Sequence, residues 1–179
     1  PRREARGMRR RIRRRAYRMQ KIKEHLISSG LVSKDELASM FDNTSKTKSG
    51  ASHYDVYELR YLALDSLLNN QQLARVLIHL AKHRGFKSNR KGEAKSKDAE
   101  KQKINSNLAK NHELLESVDS SGVRNYRTVG EMLHKNEKFT TNKRNRFGEY
   151  QVMLQRSDIG EEAKIILEAQ HQLGNQLIT

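Results

Sequence analysis

Between Pro1 and Lys23 the sequence places ten arginines, two lysines and a single glutamate. A guanidinium stays charged at any relevant pH and can fork onto two oxygens at once. A run of this kind therefore suits phosphate, above all a phosphate backbone. Charge this dense ordinarily belongs to a solvated tail, because like charges at i, i+3 and i+4 repel. Yet Ala5, Met8, Ile12, Ala16, Met19, Ile22 and Leu26 recur every three or four residues and fall within an arc of about 120° on a helix. Such a stripe lets a helix dock along one protein body, or between two, while its basic face looks onto a nucleic acid. Arg15 is the misfit, at the edge of the apolar arc. Two other readings stay open, a disordered basic arm of the nuclear-localisation kind and a helix lying on an anionic membrane. The membrane reading wants Trp, Phe and Leu on the apolar face, where this helix has Ala, Met and Ile.

Two smaller basic clusters carry aromatic residues, "HRGFKSNRK" at 83–91 and "NKRNRFGEY" at 142–150. Either could be an ordinary solvated loop; beside the arginine helix, contact with nucleic acid is the stronger reading. Tyr17 is placed to stack on a base or ribose, or to pack at a boundary. His79 and His83 lie four apart on one helix, a metal-ligand spacing, but "HLAKH" lacks the glutamate of the helical zinc motif and has no evident third ligand. His79 is expected near the core, and His83, with Lys82 and Arg84, is expected to reach a phosphate. No phosphate-binding glycine loop, nucleophile elbow or two-metal carboxylate pattern is evident, so no catalytic residues are assigned and no cofactor is expected in this chain.

The elements that must position these residues are helical. "SSGLV" supplies Gly30 as a stop for the first helix. Ser33 to Glu36 and Thr128 to Glu131 have the spacing of capping boxes, and Asn69 or Asn70 caps the helix carrying "RVLIHLA", its most buried part, closed by Gly85. "VYELRYLALDSLL" is a helix, with a polar loop over 42–53 before it. Helices are also expected over 98–118, with Ile104, Leu108, Leu115 and Val118 inward, and over 157–174, closed by Gly174. The basic loop "KFTTNKRNRFGEY" interleaves Phe139, Phe147 and Tyr150.

Composition agrees. Pro1 is the only proline in 179 residues, and 35% of the chain is hydrophobic. The reading is all-α, a long Arg-rich helix (1–30) followed by a small irregular helical domain (31–179) with basic loops. No cysteine is present, which removes disulfides and thiolate metal sites and fits a reducing compartment. No apolar run approaches the roughly 18–20 residues of a membrane span, so no membrane partner is expected. Of the net charge of +15, residues 1–23 carry twelve basic groups against one acidic, and the other 156 residues carry 24 against 20. This is a nearly neutral body with one basic arm.

"RRRIRRRAYRMQKIKEHLISSGL", followed by "YELRYLALD" and "LARVLIHLAKHRGFKSNRK", resembles the type II CRISPR effector nucleases, CRISPR-associated protein nine, especially the compact II-C subtype. "NYRTVGEML" and "NKRNRFGEYQVMLQR" look like later stations of the same region. The resemblance implies an Arg-rich bridge helix leading into the first recognition domain. It implies a piece of a longer RNA-guided DNA endonuclease, truncated at both ends, whose Mg-dependent RuvC-like and HNH centres lie outside it. This chain alone would then be no enzyme. Its partners would be guide RNA, target-strand DNA and the rest of the parent nuclease, with an acidic phage-encoded inhibitor as a further candidate, in a bacterial cytoplasm. Arg6, Arg10, Arg13, Arg14 and Arg18 would grip the guide's seed backbone, with Arg3, Arg9 and Lys21 beside them. Lys82, His83, Arg84, Lys87, Ser88, Arg90 and Lys91 would meet guide or repeat–antirepeat phosphates, and Lys143, Arg144 and Arg146 form a third patch. The rival readings are a general structured-RNA-binding protein with a basic arm, and a scaffold that docks an acidic protein.

Overall fold

The computed structural model describes residues 2–40, 55–87, 99–139, 145 and 150–177. Its described residues form seven α-helices and one short 3-10 turn: α1 (Arg2–Ser28), α2 (Lys34–Ser39), α3 (Val56–Leu62), α4 (Asn70–Lys82), α5 (Ala99–Leu115), α6 (Val129–Lys135), the turn Glu137–Phe139, and α7 (Arg156–Gln172). The only β pairings among them are two isolated bridges, Phe86 with Gln155 and Val118 with Arg124. The fold is all-α.

Local chemistry sets the helix ends. At the end of α1, Leu31 N donates to Leu26 O at 3.1 Å and Gly30 N to Ile27 O at 3.0 Å, with Gly30 at φ 75. This is a Schellman stop, and its apolar partners Leu26 and Leu31 are both buried. Ser33 and Glu36 close a complete capping box on α2, and Asn69 with Gln72 closes another on α4. At α6 the box is half made. Thr128 accepts from Glu131 N, but the Glu131 carboxylate takes Arg127 N, Arg127 Nε and Lys135 Nζ instead.

One core joins the elements. α3 packs mainly on α6, α4 lies against α1 and α3, and α7 closes on α4 and α6. Leu59, Leu73, Val76, Val129, Met132, Leu133, Phe139 and Ile166 are its most enclosed residues. Inside it, Arg60 and Glu162 form a two-pronged ion pair, Nε to Oε1 at 2.7 Å and Nη2 to Oε2 at 2.5 Å. Glu162 also accepts from Gly130 N at 3.1 Å. Gln170 fastens the chain leaving α3: its Nε2 donates to Ala63 O and Ser66 O, and its Oε1 accepts from Leu68 N.

Three expectations change. Phe139 is fully buried in the 3-10 turn rather than presented on a basic loop. Val118 lies beyond the end of α5 and is exposed, while Leu115 and Asn111 make that helix's buried side. Asn111 holds α5 to the segment before α7, donating to Gln151 O and Met153 O at 2.8 Å each. Third, the helix in "VYELRYLALDSLL" stops at Leu62, and the chain turns there under Gln170.

Candidate nucleic-acid interface

α1 runs through Arg2–Ser28 without a break, and only its last third is seated. Met19 and Ile22 pack on the core and Leu26 enters it. Met8 and Ile12 on the same stripe are 52% and 62% exposed. The apolar stripe thus docks at one end, and the remainder projects into solvent. A face of this kind on the outer two-thirds is free to meet another body, as the spacing anticipates.

Around that stripe Arg3, Arg6, Arg9, Arg10, Arg13, Arg14 and Lys21 are all exposed. Lys21 pairs with Glu24 at 2.9 Å. Among the described residues no carboxylate pairs with any arginine of α1. Body arginines behave differently. Arg60 has Glu162, Arg127 has Asp65 and Glu131, and Arg124 has Glu116. Among the described residues these three body arginines are neutralised, while those of α1 have no carboxylate partner. Tyr17 is 63% exposed, with Lys21 Nζ over one face of its ring, 5.8 Å from the ring centre.

The second predicted station is brought alongside. Lys82 ends α4 and His83 is its C-cap; Lys82, His83, Arg84 and Lys87 are exposed. His83 lies with its ring 4.5 Å from that of His79. His79 is largely enclosed, its Nδ1 3.4 Å from Arg60 Nη1. Burial, and then the charges of Arg60, His83, Lys82 and Arg75, push its pKa down to about 2. It is a neutral core histidine. Among the described residues no three His, Asp or Glu side chains gather to hold a metal ion. Ser88, Arg90, Lys91, Lys143, Arg144 and Arg146 lie outside the described residues.

Residues 84–86 are latched to the entry of α7. Phe86 N donates to Leu154 O at 2.7 Å, and Arg156 N donates to Phe86 O at 2.9 Å. Gly85 makes the fit possible: it sits at φ 76, and a Cβ there would lie 2.5 Å from Gln155 O. The latch brings Arg84 to Arg156, and both act electrostatically on Arg18. Burial, then Arg84, Arg15 and Arg156, hold the Arg18 guanidinium below its usual range; burial and Arg84 do the same at Arg156.

Arg156 is the residue that sequence reasoning missed. The available signal was its position. It is the first residue of α7, where the helix dipole disfavours a cation by some tenths of a kcal/mol, so a basic residue there calls for a reason. Arg15, read as an apolar-edge misfit, is exposed and adds its charge at Arg18.

No family model matches the chain. The CRISPR-associated endonuclease Cas9 of Campylobacter jejuni is 34% identical over 174 residues, which is 97% of this chain. The chain spans 17% of that protein's length. Crystal structures of the Campylobacter jejuni Cas9 in complex with sgRNA and target DNA, one with an AGAAACA PAM and one with AGAAACC, superpose with a TM-score of 0.74 at 32% identity. Each match covers 97% of this chain and 22% of the Cas9 chain. The likeness extends over 97% of the chain in both sequence and fold, and the chain belongs, as a segment, to the Cas9 family.

Proposed function

We propose that this chain is the guide-RNA and RNA–DNA heteroduplex-binding module of an RNA-guided DNA endonuclease, made of a bridge helix (residues 1–30) and a helical recognition domain (31–179). The observation that carries it is the row of exposed α1 arginines with no carboxylate partner among the described residues. The Cas9 structures that it resembles are complexes with sgRNA and target DNA, which supports the same partners here.

In this reading Arg6, Arg10, Arg13, Arg14 and Arg18, with Arg3, Arg9 and Lys21, hold backbone phosphates of the guide's seed. Lys82, His83, Arg84 and Lys87, with Ser88, Arg90 and Lys91 beyond them, extend the track, and Lys143, Arg144 and Arg146 add a third patch. Once RNA has ordered its outer turns, the helix presents a row of guanidinium forks that keeps the strand in A-form before the target arrives. That lowers the ordering cost of pairing, and base pairing then reads the sequence. The exposed Met8 and Ile12 would lie against the rest of the parent nuclease.

Cleavage chemistry is placed outside this chain. The Mg-dependent RuvC-like and HNH centres would lie in the rest of the parent nuclease. The parent would work in the bacterial cytoplasm. Among the described residues no helix is long and apolar enough to cross a membrane.

The test is direct. The chain should bind a guide RNA and its DNA heteroduplex with strong salt dependence, and should leave the DNA intact in Mg²⁺. Salt-insensitive capture of an acidic protein, without RNA affinity, would favour the scaffold reading instead.

A further inference from the structure

The apolar stripe of α7 outruns its cover. Ile159 and Ile166 are buried, but Leu173, next at the same spacing, is 39% exposed. The chain leaving α3, which Gln170 fastens to this end of α7, divides in the same way: Leu68 is buried and Leu67 is 53% exposed. A Schellman turn then ends α7. Asn175 N donates to Gln170 O and Gly174 N to His171 O, each at 3.0 Å, with Gly174 at φ 99. Leu177 N donates to Asn175 Oδ1 at 3.0 Å, and Leu177 is left 43% exposed.

An open groove of about 770 Å³ lies here. It is lined by Glu36, by residues 67–71 at the start of α4, and by residues 174–177 after α7. Its lining is unlike the polar face of α1. Lys and Arg make up 36 of the 179 residues, yet none of the ten lining residues is basic, and Glu36 is acidic. A phosphate strand meets a carboxylate there and no lining cation. A protein segment is the better fit: Leu67 and Leu177 offer apolar surface, and amides such as Asn70 and Gln176 offer both donors and acceptors at the rim.

We infer that the groove seats the segment that follows Thr179 in the parent nuclease, packed as an amphipathic helix with its apolar face on Leu67, Leu173 and Leu177. Two observations choose this occupant. Residues 174–177 are themselves part of the lining, so a following segment starts beside the groove at high effective concentration. The chain also spans only 17% of the Campylobacter jejuni Cas9 that it resembles, so such a parent has ample further chain. The inference rests on membership of that family and not on the RNA reading, whose failure would leave it in place.

The test compares residues 1–179 with the same chain extended by the next residues of the parent, about 20 of them, enough for one helix of average length and its connection. Each is made as wild type, as Leu67→Asp and as Leu177→Asp. Extension should raise the melting temperature by about 4 °C and slow hydrogen exchange at residues 67–71 and 174–177. Each Asp variant should abolish that gain. Each should leave residues 1–179 within about 1 °C of the wild type, because both leucines are exposed there. Leu67→Asp should also keep the wild-type affinity of residues 1–179 for RNA. No gain from extension, or an equal loss in both chains from both variants, would overturn the inference. So would lost RNA affinity in Leu67→Asp, which would put the strand in the groove. Dimers of residues 1–179 that Leu67→Asp dissolves would overturn it too, by making a second copy the occupant.

Discussion

Arg60 and Glu162, 102 residues apart in sequence, meet as a two-pronged pair with both side chains essentially removed from solvent. Glu162 reaches on to Gly130 N, and Gly130 leaves no room for a side chain, since a Cβ there would stand 2.5 Å from Glu162 Oε1. The pair therefore ties α3, α6 and α7 together at one point. Breaking one partner of such a pair strands a buried charge. Glu162→Gln should cost about 3–5 kcal/mol in urea unfolding, and Gly130→Ala should be strongly destabilising through the clash. A loss below about 1 kcal/mol for both would mean that the pair does not organise the core.

His79 supplies a pH dependence. Its folded pKa is depressed to about 2, below an unfolded value of about 6.5. As pH falls under 6.5 the unfolded chain takes up a proton that the folded chain refuses, so stability is lost progressively toward pH 2. Arg60, Arg75, Lys82 and His83 surround it with positive charge or potential charge, and Glu162 lies beyond Arg60. Wild-type stability should decline below pH 6 more steeply than that of His79→Gln, with a difference in slope approaching about 1.4 kcal/mol per pH unit. Parallel curves between pH 6 and 5 would contradict a buried neutral histidine.

Helix α1 should be ordered unevenly. Only Met19, Ile22 and Leu26 are held by the core, while like-charge neighbours along the outer turns each cost some tenths of a kcal/mol. Hydrogen exchange should be fast over residues 2–16 in the free chain and slow over 19–28, and RNA should protect the outer part. Equal strong protection throughout, with and without RNA, would remove the case for ordering by the ligand.

Much of this was legible because it is local. The Ser33–Glu36 box, the cap at Asn69, the Gly30 stop and the period of the α1 stripe each depend on residues a few positions apart. What was not legible is set by distance. Nothing near Arg60 announces Glu162, and nothing near Arg84 announces Arg156. The same holds for Phe139: its basic neighbours suggested a surface loop, but the helix before it ends at Lys135 and a 3-10 turn rolls the ring into the core. The period of α1 correctly gave a docking face, but could not say that only its last turns are seated, because that depends on how far α4 extends beneath it.

The central claim is that the polar face of α1 follows a phosphate backbone. The most direct measurement is guide-RNA affinity at four or five salt concentrations for the wild type, for Arg10→Ala/Arg13→Ala/Arg14→Ala, and for Lys164→Ala, an exposed α7 residue paired with Glu161. Arg15 does not serve as the neutral control, since it adds its charge beside Arg18. Each phosphate left unneutralised lowers the log–log slope by about 0.7 to 0.9. The triple variant should therefore flatten the slope by about two to three units and weaken all guide sequences alike, because backbone contacts carry no sequence information. Lys164→Ala should match the wild type. An unchanged slope in the triple variant, or an equal loss from Lys164→Ala, would contradict the account.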